Sequence, residues 1–333
     1  MKKLLLVLIG VLVFTACGDD DESSNTTDNT SEPPRLLSEV ALENDAEIQA
    51  FLQTHFYNYE EFETAKDAFD FRVQIDTISG MNADKIPLSQ QVKSVVINVS
   101  SNEFTGLEEE NDVPHTLYYL EVRAGEGGQP TIADSTFVSF EGLTLDLNTF
   151  DGSKVPEWFD LSQLHSPEPI TVDQDFRGLA EGITKFKSGG EIVVDSLGAF
   201  SVQGYGIGLM IFPSGLGNFN NSDNNIAAYS PLIYTVGLHT LNMTDHDSDG
   251  IPSIMEDLNA NNFLYDDNTD ETFESENIGI LTVNFLDSDD DGDGILTRTE
   301  ISDADGNIIV PYPNTGGGDL PDYLNPDILR NPK

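Results

Sequence analysis

The chain reads as an α+β protein: a curved antiparallel sheet packed on a short helix, followed by an irregular acidic tail. Three observations predict this. Short strand-like runs recur between residues 92 and 241, separated by turn clusters such as AGEGGQP (124–130). One short helical stretch, FRGLAEGITKF (176–186), interrupts those strands. From residue 241 to the end, 22 Asp and Glu stand against 3 Lys and Arg and apolar runs become brief, so a further module begins near 242–244.

Taken in chain order, residues 1–17 (MKKLLLVLIGVLVFTAC) place two lysines before an apolar run from Leu4 to Phe14, then Thr15, Ala16 and Cys17. This is a secretory signal pattern, too short and wrongly flanked for a transmembrane span. Cys17 is the only cysteine, so no internal disulfide is possible. The segment resembles a bacterial lipoprotein signal, which implies removal of 1–16, lipidation of Cys17 and membrane attachment through the lipid. The stretch 17–35 combines low hydrophobicity with high charge and reads as a disordered acidic tether. Its acidic cluster resembles a surface-export signal of some Gram-negative groups, implying a lipid-anchored outer-membrane protein of the cell envelope with surface exposure.

Residues 36–112 are expected to form an N-terminal extension. Asn44 or Asp45 can cap a helix carrying Ile48, Phe51, Leu52 and Phe56 on one face. The extension either continues the central sheet or serves as a small dimerisation element, and the sequence assigns no oligomeric state. Strand-like runs follow at Val92–Val99, Thr116–Arg123, Thr136–Phe140, Glu191–Val194, Gly208–Phe212 and Leu232–Leu241. The stretch 138–153 (VSFEGLTLDLNTFDGS) starts as an alternating strand and closes on the pair Phe150 and Asp151. The central domain is placed at 113–243 and the acidic module at 244–333.

A net charge of −44 excludes nucleic acid as a partner, since phosphate binding needs cationic patches. The same charge favours divalent cations and opposes compaction until something neutralises it. Two segments in the tail meet the needs of such an ion. Residues 245–256 (DHDSDGIPSIME) set Asp245, Asp247 and Asp249 at alternate positions, Gly250 at the bend and Glu256 at the twelfth; Ile251 supplies a carbonyl. Residues 289–300 (DDDGDGILTRTE) repeat this with Asp289, Asp291, Asp293, Gly294 and Glu300, with Asp287 offering an alternative frame. A weaker loop starts at Asp257, with Asp266, Asp267 and Asp270 nearby, and Asp303 with Asp305 is a further candidate. Without the long helices of paired EF-hands, the tail resembles thrombospondin type 3 or dockerin-type repeats, which implies structural calcium. Its end (316–327) resembles the terminal element of such repeats, with glycines in place of the leading acids.

Ordinary catalytic constellations are missing from the central domain: there is no Gly-x-Ser-x-Gly elbow, no His-Glu-x-x-His and no internal thiol. The five histidines are scattered and read as structural or surface residues. GYGIG (204–208) runs into LMIFP with no following lysine, so it reads as a glycine-bearing strand and not a phosphate loop.

Four segments in order carry a resemblance to FKBP-type peptidyl-prolyl isomerases. In 118–153, Val138, Gly142, Asp146, Phe150 and Asp151 match the family's entry pattern. Gly178, Glu181, Gly182, Ile183 and Gly189 match in 175–190, and the segments 209–217 and 226–241 continue it. The resemblance implies prolyl cis-trans isomerisation on proline-containing segments, with no catalytic cofactor. It implies a pocket of Phe140, Phe150, Asp151, Ile170, Asp175, Phe176, Leu179, Ile226 and Tyr234, with the Phe176 amide holding the substrate carbonyl. Phe140 stands where the family has a tyrosine that bonds toward the aspartate, and Leu179 where it has a tryptophan. Insertions relative to compact members fall around 155–168 and 191–207. The function expected is assistance to the folding of exported proteins; the alternatives are non-catalytic binding of proline segments and a calcium-stabilised cell-surface interaction protein.

Overall fold

Leu37, Val40, Ala41, Asn44, Ile48, Phe51 and Leu52 recur at helical spacing and form the buried stripe of α1 (Leu37–Thr54). In this computed structural model the described residues are 34–64, 69–104, 107–165, 176–194, 196–198, 200–222 and 225–332. Cys17 and the signal segment lie outside them, as do the pocket candidates Ile170 and Asp175. Asn44 does not cap α1 but sits buried within it. Its Oδ1 accepts from the Ser214 amide (2.8 Å) and hydroxyl (2.6 Å), and its Nδ2 donates to the Tyr229 carbonyl (2.9 Å). The cap comes from elsewhere: Glu110 Oε2 accepts from the amides of Leu37 (2.6 Å) and Ser38 (3.4 Å), a carboxylate at the positive end of the helix.

Phe56 falls in β1 (His55–Tyr57), which, after α2 (Tyr59–Glu63), pairs with β2 (Ile75–Thr77). The main strands are β3 (Lys93–Val99), β4 (Val113–Arg123), β5 (Ser135–Thr144) and β6 (Thr149–Asp160). Next come α3 (Arg177–Ile183), the hairpin β7 (Ile192–Val194) and β8 (Phe200–Val202), β9 (Gly206–Phe212) and β10 (Leu232–Asn242). Six strands form one antiparallel sheet in the order β3-β4-β9-β10-β5-β6, so the N-terminal extension supplies an edge strand. Register shifts at Glu121/Arg123, Val138/Phe140, Gly142/Leu143 and Leu238/Thr240 mark bulges, which bend a sheet. The α+β architecture with an antiparallel sheet packed on a short helix is therefore present. Phe150 and Asp151 open β6 instead of closing β5, because the chain reverses through residues 145–148 with Leu147 at φ +61°.

Alternation sends Val138, Met210, Phe212, Tyr234 and Val236 to one face of the sheet, against α3. Tyr118, Ile207, Leu209, Ile211 and Ile233 go to the other, where Ile48, Phe51 and Leu52 of α1 cover them. Close approach of α3 depends on two glycines one turn apart. A Cβ at Gly178 would lie 2.5 Å from the Phe212 ring, and one at Gly182 would lie 2.2 Å from Met210 Sδ. Gly178→Ala is expected to cost about 1–3 kcal/mol through overpacking; a lower urea midpoint at unchanged slope would show it.

His115 is buried in β4, its Nδ1 2.9 Å from the Val113 carbonyl. Burial first, and then the nearby Arg177 charge, lower its pKa from 6.5 to about 4. The unfolded chain thus takes up a proton between those values while the folded chain does not. Stability falls as pH drops from about 6.5 to about 4, by on the order of 3 kcal/mol from this group. The acid-induced loss of melting temperature between pH 7 and 5 should be smaller in His115→Gln than in the parent; equal losses would refute it.

The acidic module carries only short helices, α4 (Glu271–Asn277) and α5 (Thr297–Glu300). It is not detached: Pro34–Lys333 is one compact unit, and Leu264 and Phe285 join the core beneath the sheet. His246 Nε2 lies 3.0 Å from Asp160 Oδ2 at the end of β6, and Phe285 packs edge-on against His246 at 5.3 Å. Among the described residues, no helix is long and apolar enough to cross a membrane.

Candidate functional site

Four phenylalanines from four elements converge on Tyr234 of β10. Phe212 of β9 stacks on it at 5.9 Å and 9°, Phe150 of β6 meets its ring nearly perpendicular at 5.7 Å, and Phe176, just before α3, lies at 5.9 Å. Phe140 of β5 lies 6.2 Å away and packs edge-on against Phe159 at 5.3 Å. Gly142 makes this possible, since a Cβ there would fall 2.5 Å from Phe150 Cζ. Tyr234, Phe176, Leu179 and Ile226 are buried, while Phe140 and Phe150 are half-buried and form the accessible side. Burial, and then the negative charge of Asp151, push the Tyr234 phenol well above its ordinary pKa, so it stays neutral.

Asp151 itself is exposed at the rim, and its Oδ1 accepts from the adjacent Gly152 amide at 2.7 Å. The described part of the site is therefore apolar and aromatic, with one carboxylate at its edge. Such a wall can hold an apolar ring and exclude water, but it contains no acid-base pair.

The tail builds a different chemistry. In its first loop Gly250 donates to Asp245 Oδ2 (3.1 Å), Asp249 to Asp247 Oδ1 (3.2 Å) and Ile251 to Asp249 Oδ1 (2.6 Å), all through backbone amides. The second loop repeats each bond: Gly294 to Asp289 Oδ2 (3.1 Å), Asp293 to Asp291 Oδ1 (3.1 Å) and Ile295 to Asp293 Oδ1 (2.6 Å). Both bends use left-handed backbone at the sixth position, φ +103° at Gly250 and +89° at Gly294. One oxygen of each aspartate is thereby fixed by the loop's own backbone.

Asp247 Oδ2, Asp249 Oδ2, Asp289 Oδ1, Asp291 Oδ2, Asp293 Oδ2 and both oxygens of Glu256 and Glu300 are buried without a hydrogen-bond partner among the described residues. Asp247, Asp249, Glu256 and Asp290 bring ligand atoms within 4.8 Å of one another, as do Asp289, Asp291 and Asp293. Burial and then mutual repulsion raise Glu256 to about 10, Asp290 to about 9 and Glu300 to about 8. Oxygen-only donors in this number fit a hard dication such as calcium. Ile251 anchors the first loop by burying its side chain with Ile301, Tyr323 and Leu324.

The weaker candidates fare differently. The loop at Asp257 keeps the backbone pattern, but Asn259 and Asn261 turn their Nδ2 groups to Asp266, at 3.3 and 2.8 Å. Asp303 accepts from the amides of Asp305 and Asn307, both at 2.9 Å, and forms an exposed turn. Asp322 is bonded by the Thr315 amide (2.7 Å) and hydroxyl and lies 3.7 Å from Arg330 Nε.

A family model described as BamM C-terminal matches residues 246–325, within the acidic module. Among solved structures, the chain is similar to a peptidyl-prolyl cis-trans isomerase from Pseudomonas syringae pv. tomato, with 17% identity, TM-score 0.29, and 38% of this chain and 75% of that one covered. It is also similar to FkpA from Escherichia coli (20% identity, TM-score 0.31, covering 61% of this chain and 62% of that one, less than two thirds of its length). A third is the N-terminal domain of FKBP42 from Arabidopsis thaliana (15% identity, TM-score 0.29, covering 38% and 86%). No curated protein matches the chain. Partial likenesses of this kind leave the reading of the aromatic cluster to its own geometry.

Two participants escape sequence reasoning. Phe212 alternates with Met210 toward α3 and could have been found from that period. Asp290 occupies the second position of the second loop and reaches the first loop's ligand cluster; no spacing rule within a single loop would have found it.

Proposed function

We propose that the aromatic cleft binds proline-containing segments and catalyses cis-trans isomerisation of the prolyl bond, and that the two tail loops hold structural calcium. The carrying observation is the nest of Phe140, Phe150, Phe176 and Phe212 around Tyr234. Amide resonance sets a rotation barrier of about 18–20 kcal/mol. A twisted amide has lost that resonance and its charge separation, so a dry aromatic wall favours it over the planar form. Each ~1.4 kcal/mol of that preference gives about tenfold in rate. On this reading Phe140 and Phe150 grip the proline ring, Tyr234 and Leu179 form the floor, Ile226 closes one side, and the Phe176 amide holds the preceding carbonyl. The calcium reading rests on the unpartnered inward oxygens of the two loops.

The signal pattern and Cys17 support attachment to the cell envelope by a lipid at the outer membrane, with exported proteins as clients. A second reading, binding without efficient turnover, is favoured by Asp151: Phe140 brings no hydroxyl toward it, and its Oδ1 is occupied by the Gly152 amide. A protease-coupled assay on proline peptides decides between them. Turnover above background is expected from the folded chain; binding of the same peptides with no turnover would leave the second reading standing.

A further inference from the structure

Asp270 and Glu274 lie outside both loop spacings, and Asp287 lies outside the 289–300 frame of the second loop although it offered an alternative one, yet their carboxylates meet. Asp270 immediately precedes α4, Glu274 sits one turn along it, and Asp287 opens the acidic run leading into the second loop. Each offers one oxygen, and these oxygens lie within 4.8 Å of one another. An acidic cluster alone would mean little, but Asp270 is only 7% exposed and its Oδ1 has no hydrogen-bond partner among the described residues. The surroundings hold the group in place. Glu274 Oε2 accepts from Asn268 Nδ2 (2.8 Å) and the Thr282 amide (2.7 Å), and Asp287 Oδ1 accepts from the Asp289 amide (3.0 Å). Gly292 presses against it, since a Cβ there would lie 2.3 Å from Asp270 Oδ2. None of the three acids pairs with a cationic side chain among the described residues.

We propose that Asp270, Glu274 and Asp287 form a third divalent-cation site that takes calcium and is separate from the two loops. This rests on the calcium reading of those loops. Two buried carboxylates and a half-buried third, with no cationic side chain paired to them, are unfavourable unless a dication balances them. The site also gives the run 287–293 (DSDDDGD) a single logic. Asp287 faces the third site, Asp289, Asp291 and Asp293 face the second loop's own centre, and Asp290 faces the first loop. One short segment thus ties three ions together, and each ion braces the backbone that supplies the others.

The test is to strip the chain with chelator, titrate calcium by calorimetry, and count ions by native mass spectrometry for the parent, Glu274→Gln and Asp270→Asn. Each substitution keeps the side-chain shape and is expected to remove one ion from the count, while Glu256→Gln removes the first-loop ion. Equal counts in the parent and both third-site variants overturn the third site even if the loops still bind. A parent that binds no calcium overturns the loop reading and this inference with it.

Discussion

Chelation of calcium is expected to lower the melting temperature of the chain by about 10 °C. An ion held at a hundred times its dissociation constant stabilises by about 2.7 kcal/mol, and two loop ions together shift a domain of this size by that much. The effect should depend on pH in a defined direction. Without calcium, burial and mutual repulsion hold Glu256, Asp290 and Glu300 at about 10, 9 and 8, above their ordinary values near 4. Groups raised in this way contribute stability below their ordinary pKa and lose it as pH climbs through the folded value. The chelated chain should therefore melt lower at pH 9 than at pH 6. With calcium present the slope should flatten or reverse, because the ion replaces the protons and binds more tightly as they leave. Melting curves in chelator and in calcium across that range check both statements; superimposable curves would rule out structural calcium.

Phe150→Ala is expected to reduce prolyl-isomerase kcat/KM by about ten- to a hundredfold. It removes a half-buried phenyl wall whose burial contributes roughly 1.5–3 kcal/mol, and a wall that favours the twisted amide returns that energy as rate. Phe150 lies on an edge strand and is half-exposed, so the fold should survive its loss. Tyr234→Ala is a poorer probe. Tyr234 is buried against four other rings, and truncation there should cost about 3–5 kcal/mol of stability. Tyr234→Phe keeps the ring and should hold activity within a few-fold of the parent. Unchanged activity in Phe150→Ala would place catalysis elsewhere or expose a contaminant. Lost peptide affinity in a chain that never turned over would establish a binding module.

The central strands were legible because burial on both faces marks them as near-continuous apolar runs of strand length. β9 and β10 are buried along most of their length and were found close to their observed ends. β6 was not found as a strand. It is an edge, exposed along most of its length, and carries Gly152 and Pro156, both of which an edge tolerates. The start of α1 was missed for a different reason. Its cap is Glu110, 73 positions away, and the residue that looked like a cap, Asn44, spends its amide on Ser214 and Tyr229.

The same division runs through the candidate sites. The turns at 245–250 and 289–294, with their repeated amide-to-carboxylate bonds, follow from sequence alone, because a turn of fixed length sets its own local contacts. The pairing of Phe150 with Tyr234, the entry of Asp290 into the first loop's cluster, and the meeting of Asp270 and Glu274 with Asp287 were decided only by the tertiary structure. Local spacing governs contacts within one turn of chain. Contacts between segments distant in sequence depend on strand order and on how α3 and the tail pack against the sheet, which no local pattern encodes.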